Sequence, residues 1–426
     1  MNINLFKKSL RYVYLHGWLY RRIDKTHRRR INNIKSRGTE VRVVFMAMSV
    51  SMWRYQHLYE LMRLDQRFSA TIVLSPSIDY APEQQDLDIE RLRSYFDARG
   101  TTYIDWNPAA PCDIGRELDP DIIFYPQPYE HLLVPQHDCT SHYDRLLCYY
   151  PYAFWTSTGK WSYNFHFHNL AWRLFYSTTL HLAEAQKEAW NHGRNVRVVG
   201  YPNADDYLCD QHTDVWKPLP DGLRRKRLIW APHYSIVAEF GLVPRSNFLA
   251  MAEGMLALAH EHRNRLQVAF KPHPRLLTEL YHHPDWGKER TDAYYQSWAD
   301  GANTQLETGD FIDLFMTSDA MVHDSGSFAV EYHYSQRPVM FVAQDMAPLL
   351  ETQSEFGKLA YSLHYQGKNM DDVKRFVEQV VLGGDDPLMA QRKDFFTQHL
   401  VPPHGQTVAQ KTMDELRLAL TDVAQD

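Results

Sequence analysis

"MVHDSGSFAVEY", residues 321–332, holds the reading on which the fold turns. Met321 and Val322 end an apolar run. His323, Asp324, Ser325, Gly326 and Ser327 then crowd polar or small residues into one corner. Phe328, Ala329, Val330 and Tyr332 follow at helical spacing. Buried strand, tight polar turn and new helix are the parts of a parallel α/β sheet, and the turn lies where such sheets hold ligands.

The same alternation runs outward in both directions. Upstream, "RLIWAP" (227–232) and "LQVAFKP" (266–272) read as strands, with helices at 246–263 and 290–300. Downstream, "PVMFVA" (338–343) is a strand, and 371–382, 387–399 and 406–422 are helical. The first half repeats the theme with "VRVVFMAM" (41–48), "FSATIVLS" (68–75), "TTYIDW" (101–106), "DPDIIFYP" (119–126), "RLLCYYPYAF" (145–154), "LFYST" (174–178) and "VRVVGYP" (196–202). Helices are expected at 51–65, 84–100 and 182–193. The polar stretch 203–226 breaks the pattern. The expected organisation is a basic arm (1–38), a Rossmann-like domain (39–205), a linker (206–226), a second Rossmann-like domain (227–384) and C-terminal helices (385–426). Two doubly wound halves bordering a cleft follow from it.

Composition supports this and excludes other classes. At 426 residues and 44% apolar, the chain affords two cores and is not a disordered protein. Its 26 Tyr, 20 Phe and 11 Trp serve cores first and ligand stacking second. Four cysteines at 112, 139, 148 and 209 show no zinc or disulfide spacing, which fits a reducing cytoplasm. No apolar run is long enough to span a bilayer, and no signal-peptide core appears. The first 37 residues carry 11 Lys and Arg against one acid, Asp24. Leu5, Phe6, Leu10, Trp18, Leu19 and Tyr20 are interleaved with them. A helix of that kind suits the anionic inner face of a cell membrane; otherwise it is a solvated basic arm or a helix packed on the body. The body is acidic, which argues against nucleic acid.

Three strand ends of the second half carry polar clusters: Pro232 to Ser235, Lys271 to Arg275, and His323 to Ser327. Lys271 and Arg275 give one corner fixed cations, and His273 adds an imidazole. Ser325, Gly326 and Ser327 offer hydroxyls and the free amides of a helix start, which attract phosphate. Each cluster alone could be a helix cap or a solvated charge run. Together they predict a diphosphate site. Glu331 and His233 are the candidates for nucleotide ribose or base. "FHFH" (165–168) alternates like a strand and puts His166 and His168 on one face, a weak metal pair. Gly200 to Asn203 is a ligand-bordering turn or a linker. No resident metal is assigned, and a divalent cation such as Mg is the one cofactor considered.

These motifs resemble a known family. "KPHPR" (271–275), then "HDSGSFAVEY" (323–332) and "RPVMF" (337–341), with "RLIWAPHYS" (227–235) and the tail 385–416, are similar to the CDP-glycerol glycerophosphotransferases, the teichoic-acid-type polymerases and their capsule relatives. The resemblance implies a GT-B fold whose second domain binds the cytidine nucleotide. It implies transfer of glycerol phosphate, or another alditol phosphate, from a CDP-linked donor to a hydroxyl of a polysaccharide or lipid-linked acceptor, releasing CMP. His273 matches the family's essential His of the His-Pro motif. Gly326 and Ser327 align with its pyrophosphate-holding Ser pair, and Asp324 with the preceding Asp. His273 and Asp324 are thus the catalytic candidates, with Lys271, Arg275, Ser325, Gly326 and Ser327 on the diphosphate. The family's Trp-His-Gly motif has no counterpart in "YYPYAFWTSTGK" (149–160), where the base is sought near Tyr150–Lys160. The Asp-Ser-Gly-Ser turn also resembles that of UDP-N-acetylglucosamine 2-epimerases. A nucleotide-sugar glycosyltransferase or epimerase is therefore the alternative, and a non-catalytic membrane scaffold a third.

Overall fold

The computed structural model describes residues 3–237, 246–402 and 405–420, with side chains described from Leu19 onward. The chain forms two compact units. One comprises residues 1–205 and 401–426, and the other 206–400. The segment 385–426, set apart in the sequence, is divided between them. Its last helix, Val408–Leu420, returns to the first unit, where the Asp205 carboxylate accepts the amides of Val408 (2.7 Å) and Ala409 (3.0 Å). Those are two of the amides a helix start leaves unpaired.

The first unit opens with a long helix α1 (Ile3–Arg37). Tyr20, His27 and Ile34, seven residues apart, are buried on one face, while Arg21, Arg22, Lys25, Arg28 and Arg29 are exposed. The side chains from Leu5 to Trp18, including Lys7, Lys8 and Arg11, lie outside the described residues. A six-stranded parallel sheet follows: β1 (Val41–Ala47), β2 (Phe68–Leu74), β3 (Ile122–Tyr125), β4 (Leu146–Tyr149), β5 (Arg173–Tyr176) and β6 (Val196–Val198), in the order β2-β1-β3-β4-β5-β6. Its strands are mostly apolar, as burial on both faces favours, with Arg42, Ser69, Thr71, Arg173 and Arg197 as polar exceptions. The segment 101–106 contributes only a single bridge, Ile104 to Val73, rather than a strand.

The second unit has its own parallel sheet: β7 (Lys226–Ala231), β8 (Leu266–Phe270), β9 (Thr304–Leu306), β10 (Ala320–His323), β11 (Val339–Val342) and β12 (Tyr365–Gly367). The order β12-β11-β10-β7-β8-β9 is the dinucleotide-fold order, with its reversal between β7 and β10. Aromatic rings fill one face. Trp230 lies 5.0 Å from Phe270 and 5.7 Å from Phe248, and Phe270 lies 5.2 Å from Trp298, all buried. This accounts for many of the aromatic residues as core.

"FHFH" is a helix, His166–Leu170, and not a strand. Phe165 is its N-cap, and its backbone amide donates to His168 Nδ1 at 3.2 Å. His166 and His168 therefore do not share a face. His166 is exposed and His168 buried, and no group of His, Cys, Asp and Glu among the described residues is placed to hold a metal ion.

Candidate functional site

β10, β7 and β8 are neighbours in the second sheet, with β7 between the other two. Their carboxyl ends therefore bring the three polar turns to one edge, the outer two about 10 Å apart by strand spacing. The turns are also bonded to each other. The His273 amide donates to the Pro232 carbonyl at 3.0 Å. The His233 amide donates to Asp324 Oδ1 at 2.6 Å, and the Asn247 amide to Oδ2 at 2.6 Å. The edge is thus fixed across the point where the strand order reverses.

His273 caps the helix Pro274–His282. Its Nδ1 accepts the amide of Arg275 at 3.2 Å, and Pro274 at the first helical position needs no partner for an amide. With Nδ1 accepting, the neutral ring carries its proton on Nε2. Burial, then Arg275 and Lys271, pull its pKa down to about 4, well below the near-neutral value expected for an acid. His273 at neutral pH is an uncharged hydrogen-bond donor. Its ring sits 4.6 Å from Tyr234 and 5.2 Å from His233, and the Arg275 guanidinium lies 4.1 Å over Tyr234. Tyr234 joins three of the site residues, yet nothing singled it out in the sequence beyond an aromatic residue at a strand end.

Asp324 is buried, and both its oxygens serve backbone amides. Burial pushes its pKa up to about 6, and those amides pull against the shift. Both carboxylate oxygens of this catalytic candidate are thus engaged by the backbone. Asn247, its second partner, lies far from any motif and could not have been read from the sequence. His233 Nδ1 is held 2.9 Å from Ser235 Oγ.

The two cations are more tied than their sequence suggests. The Lys271 ammonium is buried and donates to the Gly309 carbonyl at 2.8 Å, and burial lowers its pKa. Arg275 pairs with Glu279 at 2.9 Å and remains exposed to solvent. In the third turn Ser325 is buried, while Gly326 and Ser327 are exposed. Ser327 precedes the short helix Phe328–Glu331 but makes no capping bond with its hydroxyl. Gly326 has an ordinary φ, and an added Cβ would meet only Tyr361 Oη at 3.7 Å. The backbone turn therefore does not demand glycine there. His323, fully buried, fixes the turn from behind through Nδ1 and the Ser325 carbonyl at 3.0 Å. Glu331 is buried in the short helix.

In the first unit, the segment 149–160 holds no histidine, and the Tyr150 hydroxyl bonds Thr412. Burial raises the pKa of Tyr150 well above its ordinary value. Gly200 adopts φ 111°, and a Cβ there would come within 2.8 Å of Val408. Tyr201 is buried and stacked 4.0 Å from Phe154, so 200–203 is a packing corner.

A family model described as CDP-glycerol:poly(glycerophosphate) glycerophosphotransferase matches residues 155–372, a span that includes all three turns. The chain belongs to this glycerophosphotransferase family. It is an enzyme, and its family's donor is CDP-glycerol. No match is found among curated proteins. Among solved structures, a variant of the wall teichoic acid polymerase TagF aligns with a TM-score of 0.57 at 12% identity, over 99% of this chain and 98% of that one. A TagF structure soaked with CDPG gives 0.54 at 12%, with coverage of 99% and 98%. The UDP-N-acetylglucosamine 2-epimerase of Neisseria meningitidis, bound to UDP-GlcNAc, gives 0.53 at 11%, with 89% of this chain and 99% of that one. At such identities these likenesses show the fold, which is GT-B.

Proposed function

We propose that the glycerophosphotransferase binds the diphosphate of CDP-glycerol at the stitched edge formed by residues 232–235, 271–275 and 324–327. An acceptor hydroxyl attacks the phosphorus next to glycerol. The new acceptor O–P bond forms as the bond to the cytidylate oxygen breaks, CMP leaves, and the hydroxyl proton passes to solvent. Such chemistry asks for positioning and charge stabilisation more than for covalent help. His273 Nε2–H donates a hydrogen bond to a phosphate oxygen whose charge grows during transfer. The amides and hydroxyls at Ser325, Gly326 and Ser327 receive the second phosphate, where Gly326 leaves room for close approach. Arg275 supplies the exposed cation and Lys271 orients the loop at Gly309. His233 and Glu331 remain the proposed neighbours of the nucleoside.

The acceptor is a hydroxyl of a cell-surface polysaccharide or lipid-linked chain, met at the inner face of the cell membrane. The exposed bases of α1 support this, each near an anionic surface adding about 1 kcal/mol. No described helix is long and apolar enough to cross a membrane.

The observation that carries the reading is His273 held as a neutral Nε2 donor by its own cap, on an edge bonded to the other two turns. The test is transfer from radiolabelled CDP-glycerol to a lipid-linked acceptor by His273→Ala. Transfer at the unaltered rate would remove His273 from the mechanism. Thermal stabilisation by a UDP-sugar, with none by CDP-glycerol or CDP-ribitol, would favour the sugar-nucleotide alternative.

A further inference from the structure

A second cationic cluster lies in the first unit, on the inner side of α1. A cavity of about 280 Å³ opens between that helix and the segments flanking β5. Among its walls are His27, Arg28, Trp172, Arg173 and Arg194, with Asp24 as the one acid. Arg28 and Arg194 are exposed and form its rim, while His27 is only 6% exposed. Among the described residues, none of the three guanidiniums is in an ion pair. Arg173 Nε is buried without a partner, and so is His27 Nε2. Arg173 makes only a 3.4 Å bond to the Trp172 carbonyl and a stacking contact 4.9 Å from the Trp172 ring.

Charge left like this is costly. Burial, then Arg197, pull the Arg173 pKa down to about 10, and burial with Arg173 pulls His27 down to about 4. A neighbouring cavity on the same helix shows the usual remedy, for there Arg30 is paired with Asp144 at 3.3 Å. Among the described residues no carboxylate forms such a pair with Arg173, on which Glu415 acts only from beyond ion-pair distance. A guanidinium without an ion-pair partner beside an orphaned imidazole nitrogen is completed by an anion that accepts from both.

We propose that this cavity is a binding site for a phosphate-bearing group, held by His27, Arg28, Arg173 and Arg194. Guanidinium forks match phosphate oxygens two at a time, which favours phosphate over a single carboxylate. The volume admits a phosphate ester with a small polyol. Trp172 gives an apolar wall for the carbon skeleton. Because the exposed side of α1 is basic too, the group can come from an anionic lipid headgroup or from a free phosphate.

The probes are inorganic phosphate and dihexanoyl phosphatidylglycerol below its micellar concentration, each against chloride of equal ionic strength. Thermal midpoint and tryptophan fluorescence are followed. The site predicts saturable stabilisation by at least one probe. Preference for the phosphatidylglycerol assigns a headgroup, and preference for phosphate a soluble source. Arg173→Gln should raise the half-saturating concentration at least tenfold. The rim double variant R28Q/R194Q, whose changes lie at the surface, should do the same if Arg173→Gln folds poorly. His273→Asn should leave the effect intact, since the donor edge is a separate site. No stabilisation beyond chloride, or an unchanged half-saturation in the rim variant, would overturn the proposal.

Discussion

In the proposed mechanism His273 performs two tasks with one ring. Nδ1 holds the start of the helix Pro274–His282 by accepting the Arg275 amide, and this leaves Nε2–H as the donor. The tasks can be separated. Asparagine is among the best capping residues, so His273→Asn should keep the helix and cost only a few tenths of a kcal/mol, against about 1 kcal/mol for His273→Ala. Turnover should nevertheless fall by about 10²-fold or more in both, the usual scale for one lost donor at a developing charge. Melting curves beside initial rates check this, and a rate restored in His273→Asn would reduce His273 to a cap. Gly326 offers the converse case. Its φ is ordinary and its Cβ position open, so Gly326→Ala should fold with equal or higher stability. The methyl stands where a phosphate would approach the turn, so CDP-glycerol should bind at least tenfold more weakly. Unchanged binding, measured by calorimetry, would place the diphosphate elsewhere.

At the scale of elements, the end of α1 is locked to the first sheet by one carboxylate. Asp121 accepts Arg37 Nη1 at 3.2 Å, Arg37 Nη2 at 2.6 Å and the Arg42 amide at 3.0 Å, and it is 1% exposed. Asp121→Asn leaves at least one of these donors unmet. It should cost about 1–3 kcal/mol and hasten trypsin cleavage among the bases from Arg28 to Arg37. Equal cleavage rates would mean that α1 is held by its buried face alone. Most strands of both sheets were legible because burial on both faces writes apolar runs, and the polar turns at 232, 271 and 324 stood out against them. β9 and β12 were missed because "TQL" and "YQG" are both short and polar, without the valines that mark the equally short β6. "FHFH" misled because alternate aromatic residues mimic period two, whereas His168 Nδ1 meets the Phe165 amide in a helix start. The commitment of Asp324 to the amides of His233 and Asn247 was not legible, for it depends on contacts 91 and 77 residues away.

Across the whole molecule, both units bury neutral imidazoles. Burial lowers His27, His273 and His364 to about 4 and His168 to about 3, and lowers His137, His142, His323 and His333 as well. A histidine depressed in the folded state binds fewer protons than in the unfolded chain. Its contribution is complete above about pH 6.5 and is lost as pH falls from there toward the folded value. Asp324 has the opposite sign, since its raised pKa favours the folded state as pH falls through about 6. With about 1.4 kcal/mol per pKa unit, the histidines outweigh it. The melting temperature should therefore fall markedly between pH 7 and pH 5, and a flat profile would contradict the neutral burial of these rings.

The account rests on a donor diphosphate seated where β7, β8 and β10 end. Its most direct measurement is a calorimetric titration of the wild-type enzyme, His273→Asn and Gly326→Ala with CDP-glycerol, with UDP-N-acetylglucosamine as the competitor. The account predicts one CDP-glycerol site per chain, at least tenfold weaker in each variant and not displaced by the UDP-sugar. Equal affinity in all three proteins, or binding of the UDP-sugar in place of CDP-glycerol, would contradict it.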